Sequence, residues 1–387
     1  MEVQNRRDPS SSGRAACLLC FAVALGCGKA ARGWPQSSLG EIDHGRGWGS
    51  INLVIDAEDK PIVGYVTASI GFSANEVFVK RWNGSTWEAL GSQLNAAGTL
   101  ASSVLLAVDS AGVIVVWNDA PPNMSLNDTV HAARWTGAWS PLGAQVSSAS
   151  TYGNAPRFAA GAQGPIVTYT TFGSSAPGTV VRWDGSTWQK YPDTPSAGAT
   201  YLDLAVLPDG TPVVSWPIWS AAGSTTVYTQ RWDAISSSWV LLPSRTWSTQ
   251  VNPSIAADTS GAIFLAGGPV PVSPADPGSP VLRAGDTTWD AVGAPQGGAG
   301  SYARFVKMAG AVALVNQQPG GYAVSQYLGA DRWDVIADLG SGGPGGSTCA
   351  FAAAAVVGYA ACPVWGTDVD ASGQPVVHLL ATSFAKP

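Results

Sequence analysis

Arg81-Trp82-Asn83-Gly84-Ser85-Thr86-Trp87 and Arg182-Trp183-Asp184-Gly185-Ser186-Thr187-Trp188 are two copies of one pattern, Arg-Trp-x-Gly-x-x-Trp. A one-residue-shorter copy runs from Arg134-Trp135 to Trp139, and a two-residue-longer copy from Arg231-Trp232 to Trp239. Weaker copies lie at Arg283 to Trp289 and at Tyr327 to Trp333. Recurrence about every fifty residues marks an array of one small structural unit.

Each Trp motif follows a looser one, as in Leu106 to Trp117 and Leu204 to Trp216. In both, a strand-like run meets an Asp- or Gly-containing turn and a second strand-like run follows, which is a hairpin. The Trp motif is a second hairpin, with Val77 to Trp82 entering, Asn83 to Thr86 turning and Trp87 to Gly91 leaving. Two hairpins give four strands, the unit of a propeller blade. The two Trp flank a short turn and should face each other as its closing cross-strand pair, a structural role. The preceding Arg is expected over an aromatic face or on carbonyls of the neighbouring blade.

Six complete units run from about Ser50 to Gly340. After them, Cys349 to Trp365 supplies an inner hairpin and Gln374 to Thr382 a third strand, with no fourth. Before the first unit, Trp34 to Leu39-Gly40 resembles an orphan fourth strand. The fold class is therefore all-β, a propeller of seven four-stranded blades whose last blade is closed by the N-terminal strand; six or eight blades are the alternatives. Closure of that kind pairs edges that would otherwise invite aggregation.

Apolar residues make up 45% of the 387 and charged ones 12%, so the chain can bury a sizeable core. The net charge is −6 with no basic cluster, which argues against a nucleic-acid partner. Every acid after Glu88 is Asp, whose short side chain suits turns.

Residues 1–27 read as an export signal, with Arg6, Arg7 and Arg14 before the apolar run Ala15 to Gly26. Residues 28–48 form an N-terminal segment that includes the closing strand, and the propeller occupies 49–387. The run ends in Ala24-Leu25-Gly26-Cys27, which resembles the cleavage box of exported bacterial lipoproteins. That resemblance implies lipidation of Cys27, with the membrane reached only through the lipid; ordinary cleavage further on is the alternative. The implied location is the outer membrane or cell surface, otherwise the periplasm or exterior. Cys349 and Cys362 lie symmetrically about Ala355-Val356, so a hairpin turning there sets them opposite each other. Export would favour a disulfide between them, against two free thiols that never meet.

The stretch Val227 to Trp239 resembles the third and fourth strands of kelch repeats, and Asp184 to Trp188 resembles the end of an Asp box. The kelch Gly-Gly doublet and the Ser/Thr before the Asp of an Asp box are missing. The resemblance therefore implies the propeller fold over about residues 30–385 and carries no catalytic residue.

His44, His131 and His378 are the three histidines, and they fall in different parts of the repeat frame. No metal-ligand spacing, catalytic triad order or phosphate loop is present, and no cofactor is implied. Asp119, Asp128, Asp203 and Asp276 could serve a glycosidase, but no spacing selects a pair. Turns inside the hairpins are short and alike, whereas Asn118 to Thr129, Trp219 to Thr226 and Gly267 to Ser279 differ from one another. Recognition on a rigid scaffold sits on diverse loops. Trp219, Trp247, Tyr152, Phe172 and Asp276 are the candidate contacts. The expected function is non-enzymatic binding of a protein or carbohydrate ligand by a monomer. A secreted polysaccharide hydrolase or lyase with Asp carboxylates in the central funnel is the alternative.

Overall fold

The computed structural model describes residues 36–385, apart from 46–47, 69–74, 122–127, 148–152, 172–177, 195–201, 270–280, 294–302, 309–310, 319–320, 331, 341–348, 354–356 and 370–374. Its described strands are assembled into four-stranded antiparallel units that follow the hairpin frame. In the first unit, Trp48–Ile55, Pro61–Ala68, Asn75–Trp82 and Trp87–Ala89 pair in chain order. The second to sixth units begin at Leu100, Gly153, Asp203, Val251 and Ala303. A terminal unit combines Ala350–Ala353, Val357–Val369 and Pro375–Ala385 with the N-terminal strand Gln36–Gly45, which pairs antiparallel with Pro375–Ala385.

The leading strands of successive units are spatial neighbours, from Trp48–Ile55 through Leu100–Asp109 and onward to Ala350–Ala353, which lies beside Trp48–Ile55 again. A leading strand has one unpaired edge, and polar side chains from adjacent units occupy its donors. Asn52 Oδ1 accepts the Leu106 N–H at 3.0 Å, Asp203 Oδ2 accepts that of Ile255 at 2.8 Å, and Ser254 Oγ accepts that of Phe305 at 3.1 Å. Apolar cores fill the joints between units; one joins Val66, Val77 and Leu90 of the first unit to Leu106, Val115 and Trp117 of the second.

The Trp pairs face each other as their spacing requires. Trp82 opposes Trp87, Trp135 opposes Trp139, Trp183 opposes Trp188 and Trp232 opposes Trp239, with ring centroids 5.2–5.5 Å apart. The trailing Trp also reaches across the joint. Its indole N–H donates to a backbone carbonyl of the preceding unit: Trp139 to Leu90 at 2.5 Å, Trp188 to Leu142 at 2.7 Å, Trp239 to Pro192 at 2.8 Å, Trp289 to Pro243 at 2.5 Å and Trp333 to Val292 at 2.8 Å. Trp87, at the joint with the terminal unit, has a buried indole N–H with no partner among the described residues.

The Leu90, Leu142 and Val292 acceptor carbonyls are placed by a bulge in the fourth strand. After three paired residues the chain turns out at Gly91, Gly143 or Gly293, whose φ values are +76°, +78° and +78°, a region open to glycine. Gly40 has φ +78° after Leu39, so the N-terminal strand carries the same bulge and is a fourth strand by conformation as well as by pairing. The described strand runs Gln36–Gly45; the expected start at Trp34 lies outside the described residues.

The motif Arg does something other than expected. Arg81 pairs with Asp56 at 2.5 Å and Glu58 at 3.2 Å, Arg134 pairs with Asp109, and Arg182 donates to Gln163 at 2.5 Å. Each partner sits in or beside the inner-hairpin turn of the same unit, because Arg lies on the third strand, which neighbours the second. The turn Asp residues are committed to local N–H donors: Asp56 accepts from Glu58 and Lys60, Asp209 from Thr211, and Asp258 from Ser260 and Ala262. Asp184 likewise accepts from Thr187 and Ser186, which holds its carboxyl far below the usual range.

Cys349 and Cys362 form a disulfide with Cα atoms 4.4 Å apart, in line with the Ala350–Ala361 register. Replacing Trp333 by Phe removes one inter-unit donor and orphans the buried Val292 carbonyl. A loss of roughly 1–3 kcal/mol is expected for an unsatisfied buried group, read as a lower urea midpoint with an unchanged denaturant slope.

Candidate functional site on the loop face

In each unit the turns between first and second strands, and between third and fourth, lie at one end. Connections between second and third strands, and from unit to unit, lie at the other, the loop face. At that face the second unit gathers a polar cluster. Leu100–Asp109 begins there, Gly112–Ala120 ends there and Thr129–Trp135 begins there, so Ser102, Ser103, Asn118, Asp119, Asp128 and His131 meet.

Asp119 is buried; its Oδ1 pairs with His131 Nε2 at 3.1 Å and its Oδ2 accepts from Thr99 Oγ1 at 3.0 Å. The His131 ring stacks on Trp117, with centroids 5.3 Å apart and planes inclined by 20°. Asp128 Oδ2 accepts from Asn118 Nδ2 at 2.5 Å and from Ser102 Oγ at 3.3 Å, while Asn118 Oδ1 accepts from Ser103. Burial, reinforced by the charge of Asp119, pushes the Asp128 carboxyl above its ordinary range against the pull of those two hydrogen bonds. Consecutive strand residues face opposite sides of a sheet, so two sets share this strand end, Asp119 with His131 and Asp128 with Asn118, linked through the charge of Asp119 felt at Asp128. Asn118 and Asp119 are buried, whereas Ser102 is exposed and Asp128 and His131 are half-buried, so these last three can hydrogen-bond a polyhydroxylated ligand; Asp128 also has the raised affinity for a proton that suits a general acid.

A second cluster lies where the N-terminal strand closes the terminal unit. His44 and His378 are directly opposed in the register. His378 Nε2 pairs with Asp368 at 2.9 Å and its Nδ1 with Glu41 at 3.2 Å, while His44 Nδ1 meets the same Glu41 oxygen at 2.9 Å. Separate positions in the repeat frame hid this contact, because it exists only once the N-terminal strand joins the last unit. His131 and His378 in fact share a role, each a third-strand imidazole on a second-strand Asp. Among the described residues no group of three or more His, Cys, Asp or Glu is arranged to hold a metal ion.

Other carboxylates and candidate contacts are placed differently. Asp203 bridges units, accepting the Ile255 N–H and lying 3.4 Å from Arg157 Nε, so it is engaged in holding leading strands together. Trp219 ends a second strand, is 41% exposed, and donates its indole N–H to the Val251 carbonyl at 3.3 Å. The connection after it is a compact turn, Ser220 to Ser224, closed by backbone and hydroxyl bonds, where a long loop was expected. Trp247 is 8% exposed and packs in the joint against Gly267, which makes it a core residue. Tyr152, Phe172, Asp276 and Cys27 lie outside the described residues.

No protein-family model matches the chain, and no curated protein matches it. Solved structures do match. An ulvan lyase, a polysaccharide lyase solved with bound saccharide, aligns over 89% of this chain and 95% of its own with 10% identity and a TM-score of 0.52. A puromycin hydrolase aligns over 80% of this chain and 49% of its own at 12% identity and a TM-score of 0.50. A fucose-binding lectin of Aleuria aurantia aligns over 77% and 97% at 14% identity and a TM-score of 0.48. The cyclic succession of four-stranded units makes the fold a β-propeller, and at these identities the likeness to the ulvan lyase is one of fold alone.

The Asp368 hydrogen bond, helped by Glu41, holds the His378 pKa above its ordinary value against desolvation, and His378 in turn lowers that of Asp368. A raised imidazole stabilises fully below its unfolded pKa of about 6.5 and loses that contribution as pH rises through the folded value. A depressed carboxyl contributes above about pH 3.9 and fades as pH falls through its folded value. Closure by the N-terminal strand should therefore be firmest between about pH 4 and about pH 6.5. The urea midpoint is expected to fall from about pH 5.5 to about pH 8.5, and His378→Gln should flatten that decline.

Proposed function

We propose that the chain is an exported seven-bladed β-propeller that binds a carbohydrate through its loop face without turning it over. The observation that carries the ligand class is the second-unit cluster of Asp119, Asp128, Asn118, Ser103 and His131 beside Trp117. Sugars are bound by such mixtures of amide, carboxylate and hydroxyl partners next to aromatic rings. Seven blades are supported by the cyclic succession of leading strands and by the bulge that the N-terminal strand shares with other fourth strands. Export is supported by the leader and by the Cys349–Cys362 disulfide. In this reading Cys27 carries a lipid and is the only link to a membrane.

One observation favours the hydrolase or lyase reading, with its acid in this cluster instead of the funnel. Burial and the nearby Asp119 carboxylate hold the Asp128 carboxyl above its ordinary range, the environment of a proton donor. The two readings part in one experiment. The mature domain is applied to a glycan array and, in parallel, incubated with acidic and neutral polysaccharides while chain scission is followed. Binding without scission is expected, with Asp128→Asn and His131→Ala each weakening binding by about 1–3 kcal/mol, the scale of a lost hydrogen bond to a charged group. Scission that disappears in Asp128→Asn would establish the enzyme instead, and an array without any retained glycan would sink the carbohydrate reading.

A further inference from the structure

Between the Trp clasp and the loop face, the joints carry a second layer of rings. At the joint of the terminal and first units Tyr65 lies beside Phe78, its opposite partner, with centroids 5.9 Å apart. At the next joint Trp117 stacks on His131, and between the third and fourth units Trp216 stacks on Tyr228 at 5.8 Å and 20°. The fifth unit has Gly267 on its second strand, and Trp247 of the fourth unit fills the space; a Cβ on Gly267 would lie 3.0 Å from that indole. The third unit departs from this arrangement. Tyr169 opposes Thr179, so a small hydroxyl side chain stands where the first, second and fourth units set a ring.

At that place a groove of about 430 Å³ opens between the second and third units, lined by Tyr169, Thr179, Trp183, Trp188, Gln145 and Lys190. Its mouth is widened by the bulge at Gly143. A Cβ there would lie 3.4 Å from Trp183 and 3.5 Å from Trp188, whereas one on the equivalent Gly91 would lie 2.9 Å from Trp139.

We propose that this groove is a saccharide subsite that takes one pyranose ring, separate from the loop-face cluster. Its space lies where the first, second and fourth units set a second ring. The volume sits in the lower part of the range for ligand pockets, roughly 300–1,000 Å³. The Trp188 indole N–H is already engaged by the Leu142 carbonyl, so its ring offers its apolar surface, the part that meets the C–H face of a sugar. The rim is polar. The Gln145 carboxamide and the Lys190 ammonium, which lies 2.6 Å from Asp193, supply donors and acceptors for ring hydroxyls. An aromatic peptide side chain would leave that rim without partners. This subsite rests on the carbohydrate reading for ligand class only, and none of its lining residues belongs to the Asp119–Asp128 cluster.

The test uses the mature protein and a panel of monosaccharides, with saturation-transfer NMR and intrinsic Trp fluorescence as readouts. Ala144→Trp places a ring into the groove from an exposed position. Thr179→Phe restores the ring pair of the neighbouring joints. Ser92→Trp makes the first change at the equivalent bulge of the preceding joint. Saturable binding of at least one monosaccharide is expected, weakened at least about tenfold (about 1.4 kcal/mol) by Ala144→Trp and by Thr179→Phe. Ser92→Trp should leave it unchanged, Asp128→Asn reports the loop-face cluster separately, and thermal midpoints confirm that all four variants are folded. The subsite is overturned if no monosaccharide shows saturation transfer, or if both groove-filling variants bind as the parent does. Loss only in Asp128→Asn would also overturn it while leaving the loop-face reading intact. Binding of an aromatic amino-acid amide where no sugar binds would assign the groove to a peptide side chain and overturn the saccharide.

Discussion

An indole N–H bonded to the main chain of the preceding unit ties this propeller together. In the first five units the outermost strand of the twisted sheet is only three or four residues long, and such a strand contributes little pairing of its own. The trailing Trp compensates at one stroke: it closes its own hairpin and satisfies a backbone carbonyl of the preceding unit. Net gains of about 0.5–1.5 kcal/mol per hydrogen bond are modest, but they recur at successive joints and each is coupled to burial of a large ring. At the axis, the Asn52, Asp203 and Ser254 side chains do the corresponding work on the leading strands. Outer latches and inner caps together fix the angle between neighbouring units.

Much of this was legible in the sequence because it is periodic. The hairpin frame, the opposition of the two Trp, the fourth strand supplied from the N-terminus and the Cys349–Cys362 pairing all follow from spacing within one unit or across one turn. Contacts between units were illegible. No spacing tells which carbonyl an indole reaches, so the Trp motif read as a clasp within a hairpin when it is equally a latch between units. The Arg of the motif failed for the opposite reason. A partner was sought across the joint, while the second strand beside it already presented Asp56, Asp109 or Gln163.

The candidate site was harder still. His131 and Asp119 are brought together across a second-to-third-strand connection, and His44 and His378 by the meeting of the two ends of the chain. Neither contact has a local signature. Trp247 shows how an aromatic residue in a variable stretch misleads. It looked like a ligand contact, yet a glycine in the following unit had made room for it in the core. Exposure of an aromatic depends on what the neighbouring unit presents, and a single unit's sequence does not contain that.

The same dependence explains why departures from the repeat are more informative than the repeat itself. A residue type that recurs at one structural position serves the joint, so Trp139, Trp188 and Trp239 are accounted for by packing before any ligand is invoked. Where a unit breaks the pattern, either a neighbour fills the gap or the gap stays open. Gly267 is the first case, because Trp247 occupies the space. Thr179 is the second, because the second unit offers Gly143 and Ala144 at the facing position and a groove remains beside Trp183 and Trp188. Close packing makes an uncompensated ring-sized gap costly, on the scale of the cavity left by a large-to-small core substitution. A chain that sets a ring pair here in its first, second and fourth units and leaves a groove in the third, with amide and ammonium groups at its rim, has a surface there that the fold itself does not require.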